Sequence, residues 1–185
     1  MGQRLVVSLI QGEETIAAIY YHWSAYFQST IYELRDLGKD IRKAREEKKD
    51  ILLGVLEGLE KRGGGLGVNP RNEKEAEKRF PGRQNKKDIS RNVGLLYLGK
   101  EEIQETLDMA EGTARIYLDT DEISNDVSRS EYIPWELGKD YVELMDVRFY
   151  VDPYDMTMDE CFELADYLET MTEQFLTENN REGEQ

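Results

Sequence analysis

Arg4-Leu5-Val6-Val7-Ser8-Leu9-Ile10-Gln11-Gly12-Glu13-Glu14-Thr15-Ile16-Ala17-Ala18-Ile19-Tyr20-Tyr21-His22-Trp23 is the stretch that decides the fold. Arg4 to Ile10 alternates and is rich in Val, Leu and Ile. Gln11 to Glu14 is a polar turn with a glycine. Thr15 to Trp23 returns to β-branched and aromatic residues. Two such runs around a short turn predict a β-hairpin. The period then changes. Ser24 is the expected N-cap, and Phe27, Ile31, Leu34 and Leu37 recur at helical spacing. Gly38 should interrupt that helix, with the charged stretch Lys39 to Asp50 continuing it. Ile51, Leu52, Val55, Leu56 and Leu59 give a second apolar stripe, which Gly63-Gly64-Gly65 ends.

From Lys61 to Arg91 the periodicity dissolves. Glycines at 63–67 and Pro70 and Pro81 predict a long flexible connector, and apolar residues are sparse. Order resumes with a short buried strand at Val93–Leu98. A helix over 100–111 should follow, with Ile103, Leu107 and Ala110 inward and Gly112 as its stop. Ala114 to Ile123 predicts one strand, with Ile116 and Leu118 on one face and Arg115, Tyr117, Asp119 and Asp121 on the other. Tyr141–Val151 predicts a longer strand with a bulge near Met145 and Asp146. Thr157-Met158-Asp159-Glu160 is a capping box that opens a helix over 158–177. These elements predict an α+β fold. Its parts are an N-terminal hairpin with helices (1–62), a basic Gly/Pro-containing loop (63–91) and an acidic α/β portion (92–185) able to form one domain with 1–62.

The chain has 185 residues and a net charge of −15. Residues 1–60 carry −2, residues 61–91 carry +6 and residues 92–185 carry −19. Such asymmetry marks an interaction surface. It disfavours free DNA and anionic membrane and favours a basic partner. No apolar run is long enough for a signal or a membrane span, and Val6 breaks the myristoylation pattern, so a cytoplasmic protein is expected.

No catalytic motif emerges. One cysteine, Cys161, excludes a disulfide framework, and one histidine, His22, excludes a two-His metal motif. The glycines at 63–67 lack the Lys-Ser or Lys-Thr of a phosphate loop. Asp119-Thr120-Asp121-Glu122 resembles an acidic metal-binding cluster. Asp119 and Asp121 should share a strand face about 6.6 Å apart, wide for joint ligation of one ion. Asp152-Pro153-Tyr154-Asp155 places acids at a helix N-terminus, where the dipole favours them. His22 reads as a strand-end residue among aromatics. Cys161 reads as a small inward hydrophobe, although the first turn of a helix could lower its pKa. The connector carries Arg71, Lys74, Lys78, Arg79, Arg83, Lys86, Lys87 and Arg91, which could contact phosphates or fold onto the acidic half.

Arg4-Leu5-Val6-Val7 followed by Ile19-Tyr20-Tyr21-His22-Trp23-Ser24 resembles the opening of many small phage and mobile-element proteins. So does Arg91-Asn92-Val93-Gly94-Leu95-Leu96, followed by an acidic helix and Ala114-Arg115-Ile116-Tyr117-Leu118-Asp119. The resemblance implies an anti-defence inhibitor of the anti-CRISPR type, directed at a type II nuclease, and it carries over no binding residues. A guide-loaded nuclease holds its heteroduplex in a cationic channel. Rows of carboxylates could imitate that charge. The expected contact set is Asp119, Asp121, Glu122, Glu131, Asp140, Glu143, Asp152 and Asp155, with no enzyme activity, no cofactor and no metal. Two alternatives stay open: a metal-dependent phosphodiesterase or nuclease using Asp119, Asp121 and Glu122, and a protein that sequesters a small signalling nucleotide.

Overall fold

The hairpin forms β1 (Leu5–Gln11) and β2 (Glu14–Tyr21), joined through Gly12-Glu13. The register slips between Leu9 and Ile10, which pair with Ala17 and Thr15, so Ile16 is the extra residue of a bulge. The computed structural model describes residues 3–67, 73–83, 85–86, 92–126 and 154–182. Its further elements are α1 (Phe27–Glu46), α2 (Ile51–Lys61), β3 (Gly65–Gly67), α3 (Glu73–Arg79), β4 (Asn85–Lys86), β5 (Leu95–Tyr97), α4 (Lys100–Asp108), β6 (Gly112–Tyr117), β7 (Glu122–Asp126), β8 (Tyr154–Thr157) and α5 (Met158–Glu182). The fold is α+β. Among the described residues, no helix is long and apolar enough to cross a membrane.

One sheet runs β4-β3-β5-β2-β1-β6-β7-β8. β2 and β7 oppose the other strands. β1 pairs in parallel with β6, and β2 pairs with β5, so the N-terminal hairpin forms the centre of the sheet. One sheet face carries Leu5, Val7, Leu9, Ile19, Ile116 and Ile123. Against it pack Ile31, Leu34, Leu37 and Ile41 of α1, Leu52, Val55 and Leu56 of α2, and Cys161, Leu164, Ala165 and Leu168 of α5. Each such aliphatic contributes about 1.5–3 kcal/mol on burial. On the other face, Val6, Ala18, Tyr20 and Leu95 meet Ile103 of α4.

Several local expectations are corrected. α1 runs through Gly38 rather than breaking there. A Cβ at Gly38 would sit 2.9 Å from the Phe162 ring, so the glycine lets α5 lie close against α1. That packing outweighs the roughly 1 kcal/mol helix cost of glycine. Ser24 does not cap α1. The cap position is Tyr26, and Ser24 is fully buried with its carbonyl accepting from Thr30 Oγ1 at 2.7 Å. Gly112 begins β6 rather than ending α4. The connector contains β3, α3 and β4, anchored by Phe80, which is buried in the main core. The strand expected over 141–151, with its bulge, lies outside the described residues.

The two long helical stops differ instructively. After α2, Gly63 takes φ 89°, and the Gly64 N–H bonds the Leu59 carbonyl at 2.8 Å. After α1 the same pattern recurs, with Lys49 N–H on the Ala44 carbonyl at 2.8 Å and Lys48 at φ 51°. A lysine in this left-handed position bears a Cβ penalty of about 1–2 kcal/mol that glycine lacks. Lys48→Gly should therefore raise stability by roughly 1 kcal/mol in urea denaturation, whereas Gly63→Ala should lower it.

Candidate partner-binding surface

Asp119 and Asp121 lie in the turn between β6 and β7, not on a strand, so their expected shared face does not exist. Asp121 has φ 57°, a conformation in which Asp is several-fold enriched. Its carboxylate is bonded to Arg45 of α1 and lies 3.8 Å from Arg42 Nε. Arg45 also donates to the Leu118 carbonyl. Asp119 Oδ2 accepts the Gly12 N–H at 2.5 Å, joining this turn to the hairpin turn. The Asp121 carbonyl accepts the Met158 N–H at 2.8 Å, which seats the start of α5. Both carboxylates are thus spent on holding turns together.

The outer face of β6, β7 and β8 is where carboxylates gather. The register aligns Arg115 with Ser124 and Asp155, and Tyr117 with Glu122 and Thr157. A cleft of about 460 Å³ lies there, lined by Tyr117, Glu122, Ser124, Asp155, Thr157 and Glu160 among others. Among the described residues, three carboxylates and no cation line it, and exposed Arg115 flanks it on the same face. Glu122 accepts from Thr120 Oγ1 at 3.0 Å. Glu160 accepts the Thr157 N–H at 2.7 Å, and Thr157 Oγ1 accepts the Glu160 N–H at 3.2 Å, forming the capping box expected from the sequence. Asp155 and Glu122 are exposed.

α5, which packs beneath the opposite face of the sheet, carries a second set of acids. Asp159, Glu163, Asp166 and Glu173 recur at three-, four- and seven-residue spacing, opposite the buried Cys161, Leu164, Ala165 and Leu168. Asp159 is bonded to Arg42 at 2.6 Å and Glu169 to Arg35 at 2.5 Å. Arg42 also stacks 4.8 Å over Phe162. Among the described residues, no cation lies within ion-pair distance of Glu163, Asp166 or Glu173. Same-face acids on a helix lie about 5–6 Å apart, and each raises the negative potential of its neighbours. The sequence pattern of α5 contained this stripe, which was missed because the expected contact set ended at Asp155.

Among the described residues, no ion pair joins the basic connector to this surface. Arg79 pairs with Asp50 at 3.3 Å, and Arg83 with Glu57 at 3.3 Å and with Glu60. These acids belong to α2 and its cap, on the N-terminal side. Lys74 and Lys78 are exposed on α3, and Lys86 lies in β4. Glu131, Asp140, Glu143, Asp152, Arg71, Lys87 and Arg91 lie outside the described residues.

His22 sits at the strand end as expected, its Nδ1 bonded to the Tyr20 hydroxyl at 2.7 Å and its ring edge-on to Trp23 at 4.9 Å. Burial pushes the Cys161 thiol up to about 12, so the helix dipole does not make it reactive. Among the described residues, no three His, Cys, Asp or Glu side chains are placed to hold a metal ion. No protein-family model matches the chain, and no curated protein and no solved structure matches it significantly.

If Asp121 is a structural clamp, Asp121→Ala should cost about 1–2 kcal/mol, since Arg45 and the turn lose a charge-assisted bond that is partly solvent-screened. Urea denaturation checks this. A loss below a few tenths would assign the carboxylate elsewhere.

Proposed function

We propose that this chain is a non-enzymatic binding protein that docks its acidic face on the cationic groove of a nucleic-acid-handling protein. The partner implied by the sequence resemblance is a type II CRISPR nuclease in the host cytoplasm, which makes the chain an anti-defence inhibitor. The observation that carries this reading is the cleft lined by Glu122, Asp155 and Glu160, and the exposed acids of α5 add charge beyond Glu160. Duplex DNA presents one charge per about 1.7 Å of axis. A row of carboxylates at helix and strand spacing is sparser, yet it carries the same sign into the same groove. Screening acts over about 8 Å at physiological salt, so neighbours along α5 act together on an approaching cation.

Of the original contact set, Glu122 and Asp155 belong to this surface. Asp119 and Asp121 do not. The metal-dependent alternative required Asp119, Asp121 and Glu122 together, and the first two are held by the Gly12 amide and by Arg45. The nucleotide-sequestering alternative requires a phosphate cradle, whereas a cleft with three carboxylates repels phosphate.

The test is a binding series between the purified chain and a guide-loaded type II nuclease at rising salt. Wild type should bind, and its affinity should fall steeply with salt. Glu122→Gln/Asp155→Asn/Glu160→Gln should lose at least about tenfold through the three missing charges, with the fold kept because Gln at 160 still completes the capping box. Glu101→Gln/Glu105→Gln on α4 should bind as wild type. Equal losses from both variants, or salt-insensitive binding, would refute the assigned face.

A further inference from the structure

At the opposite end of the sheet from the Asp121 turn, β2 leaves the sheet, α1 begins and the chain enters β5. A polar cluster that runs from buried Ser24 and Tyr21 through half-buried Glu33 to exposed Asn92 ties these three together. Ser24, fully buried, donates from Oγ to Glu33 Oε1 at 3.1 Å. Asn92 donates from Nδ2 to Ser24 Oγ at 2.9 Å, and its Oδ1 accepts the Trp23 N–H at 3.1 Å. Beside them the Tyr21 ring is buried, and its hydroxyl makes no hydrogen bond of ordinary length and angle. That hydroxyl nevertheless faces Glu33 closely enough to favour its charged form. The cluster lies apart from the acidic face, and Tyr21 ties it to the main apolar core.

The groups around Glu33 come from several elements. Asp36 follows it on α1, and Asp40 lies one turn further on, bonded to Arg62 at 2.6 Å. Arg62 comes from the end of α2, and Tyr21 from β2. His22 lies beyond, turned toward Tyr20. Burial is the largest influence on the Glu33 carboxyl, and Asp36 adds to it; Ser24, Arg62 and Tyr21 oppose them without cancelling them. The carboxyl is raised to about 7.

We propose that Glu33, Ser24, Asn92 and Tyr21 form a proton-operated latch joining the exit of β2, the first turns of α1 and the lead-in to β5. In the closed state the carboxyl is neutral. One oxygen accepts from Ser24, and the acid O–H faces the Tyr21 hydroxyl oxygen as acceptor. In the open state the half-buried carboxylate is charged beside Asp36. Water then reaches it past the exposed Asn92, and the Trp23–Asn92 bond loosens. The sign follows from linkage. A carboxyl raised in the folded state stabilises the fold fully below its ordinary value of 4.5, and this stabilisation is lost as pH rises through about 7. The latch therefore opens on the alkaline side of neutrality.

The test uses the full chain. The Glu33 side-chain carboxyl is titrated by ¹³C NMR, and the Trp23 amide exchange, corrected for intrinsic rates, is compared between about pH 6 and about pH 8.5. A carboxyl midpoint between about 6 and 8 and a loss of protection of about tenfold at the higher pH are expected. Glu33→Gln should keep Trp23 protected at both pH values, and His22→Asn should leave the switch intact. A carboxyl midpoint below about 5, pH-independent protection, or the same loss of protection in Glu33→Gln would overturn the proposal. The direct titration needs only the wild-type protein, so it decides even if a variant does not fold.

Discussion

Three arginines on one helix hold the two halves of this protein to each other. Arg35, Arg42 and Arg45 of α1 reach Glu169, Asp159 and Asp121, which lie on α5 and on the turn that precedes β7. Apolar burial supplies the stability of the sheet and its helices. The arginines supply the register in which α5 and the β6–β7 turn meet α1, because a guanidinium fork accepts few geometries. Without them, a strongly acidic half would meet a near-neutral half with unbalanced charge along the seam.

That seam also decides where the excess charge goes. The cations of α1 are used internally, and Arg79 and Arg83 are used on Asp50, Glu57 and Glu60. Among the described residues, carboxylates without an arginine partner lie on the outer face of β7 and β8 and on the far side of α5, with others at the β1–β2 turn (Glu13, Glu14) and on α4 (Asp108). The proposed function requires that this excess act as a sided surface, densest around Glu122, Asp155 and Glu160. Sidedness separates a protein that a cationic groove can recognise from one that is merely soluble.

Parts of this were legible in the sequence for identifiable reasons. The hairpin announces itself through two extended runs around a glycine turn, and α5 through a capping box that closes in the structure. The break at Asp119–Asp121 was hidden because Asp-Thr-Asp contains neither glycine nor proline, while Ile116, Leu118 and Ile123 invite a continuous strand. β3 is only Gly-Leu-Gly, and its state is set by pairing with β5 rather than by propensity. Arg42 and Arg45 read only as part of the charged stretch Lys39 to Asp50, since their partners lie far along the chain. The cluster of Ser24, Glu33 and Asn92 was invisible for the same reason: sequence spacing carries no signal for residues that only the sheet brings together.

The sidedness of the charge is the central claim, and it is measured most directly by paramagnetic relaxation of backbone and side-chain protons with paired cationic and anionic nitroxide probes. The account predicts that the cationic probe is enriched, and the anionic one excluded, around Glu122, Asp155, Glu160, Glu163, Asp166 and Glu173, with a much weaker contrast over α2 and α3. A contrast of similar size over the whole surface, or a near-neutral potential along α5, would contradict it.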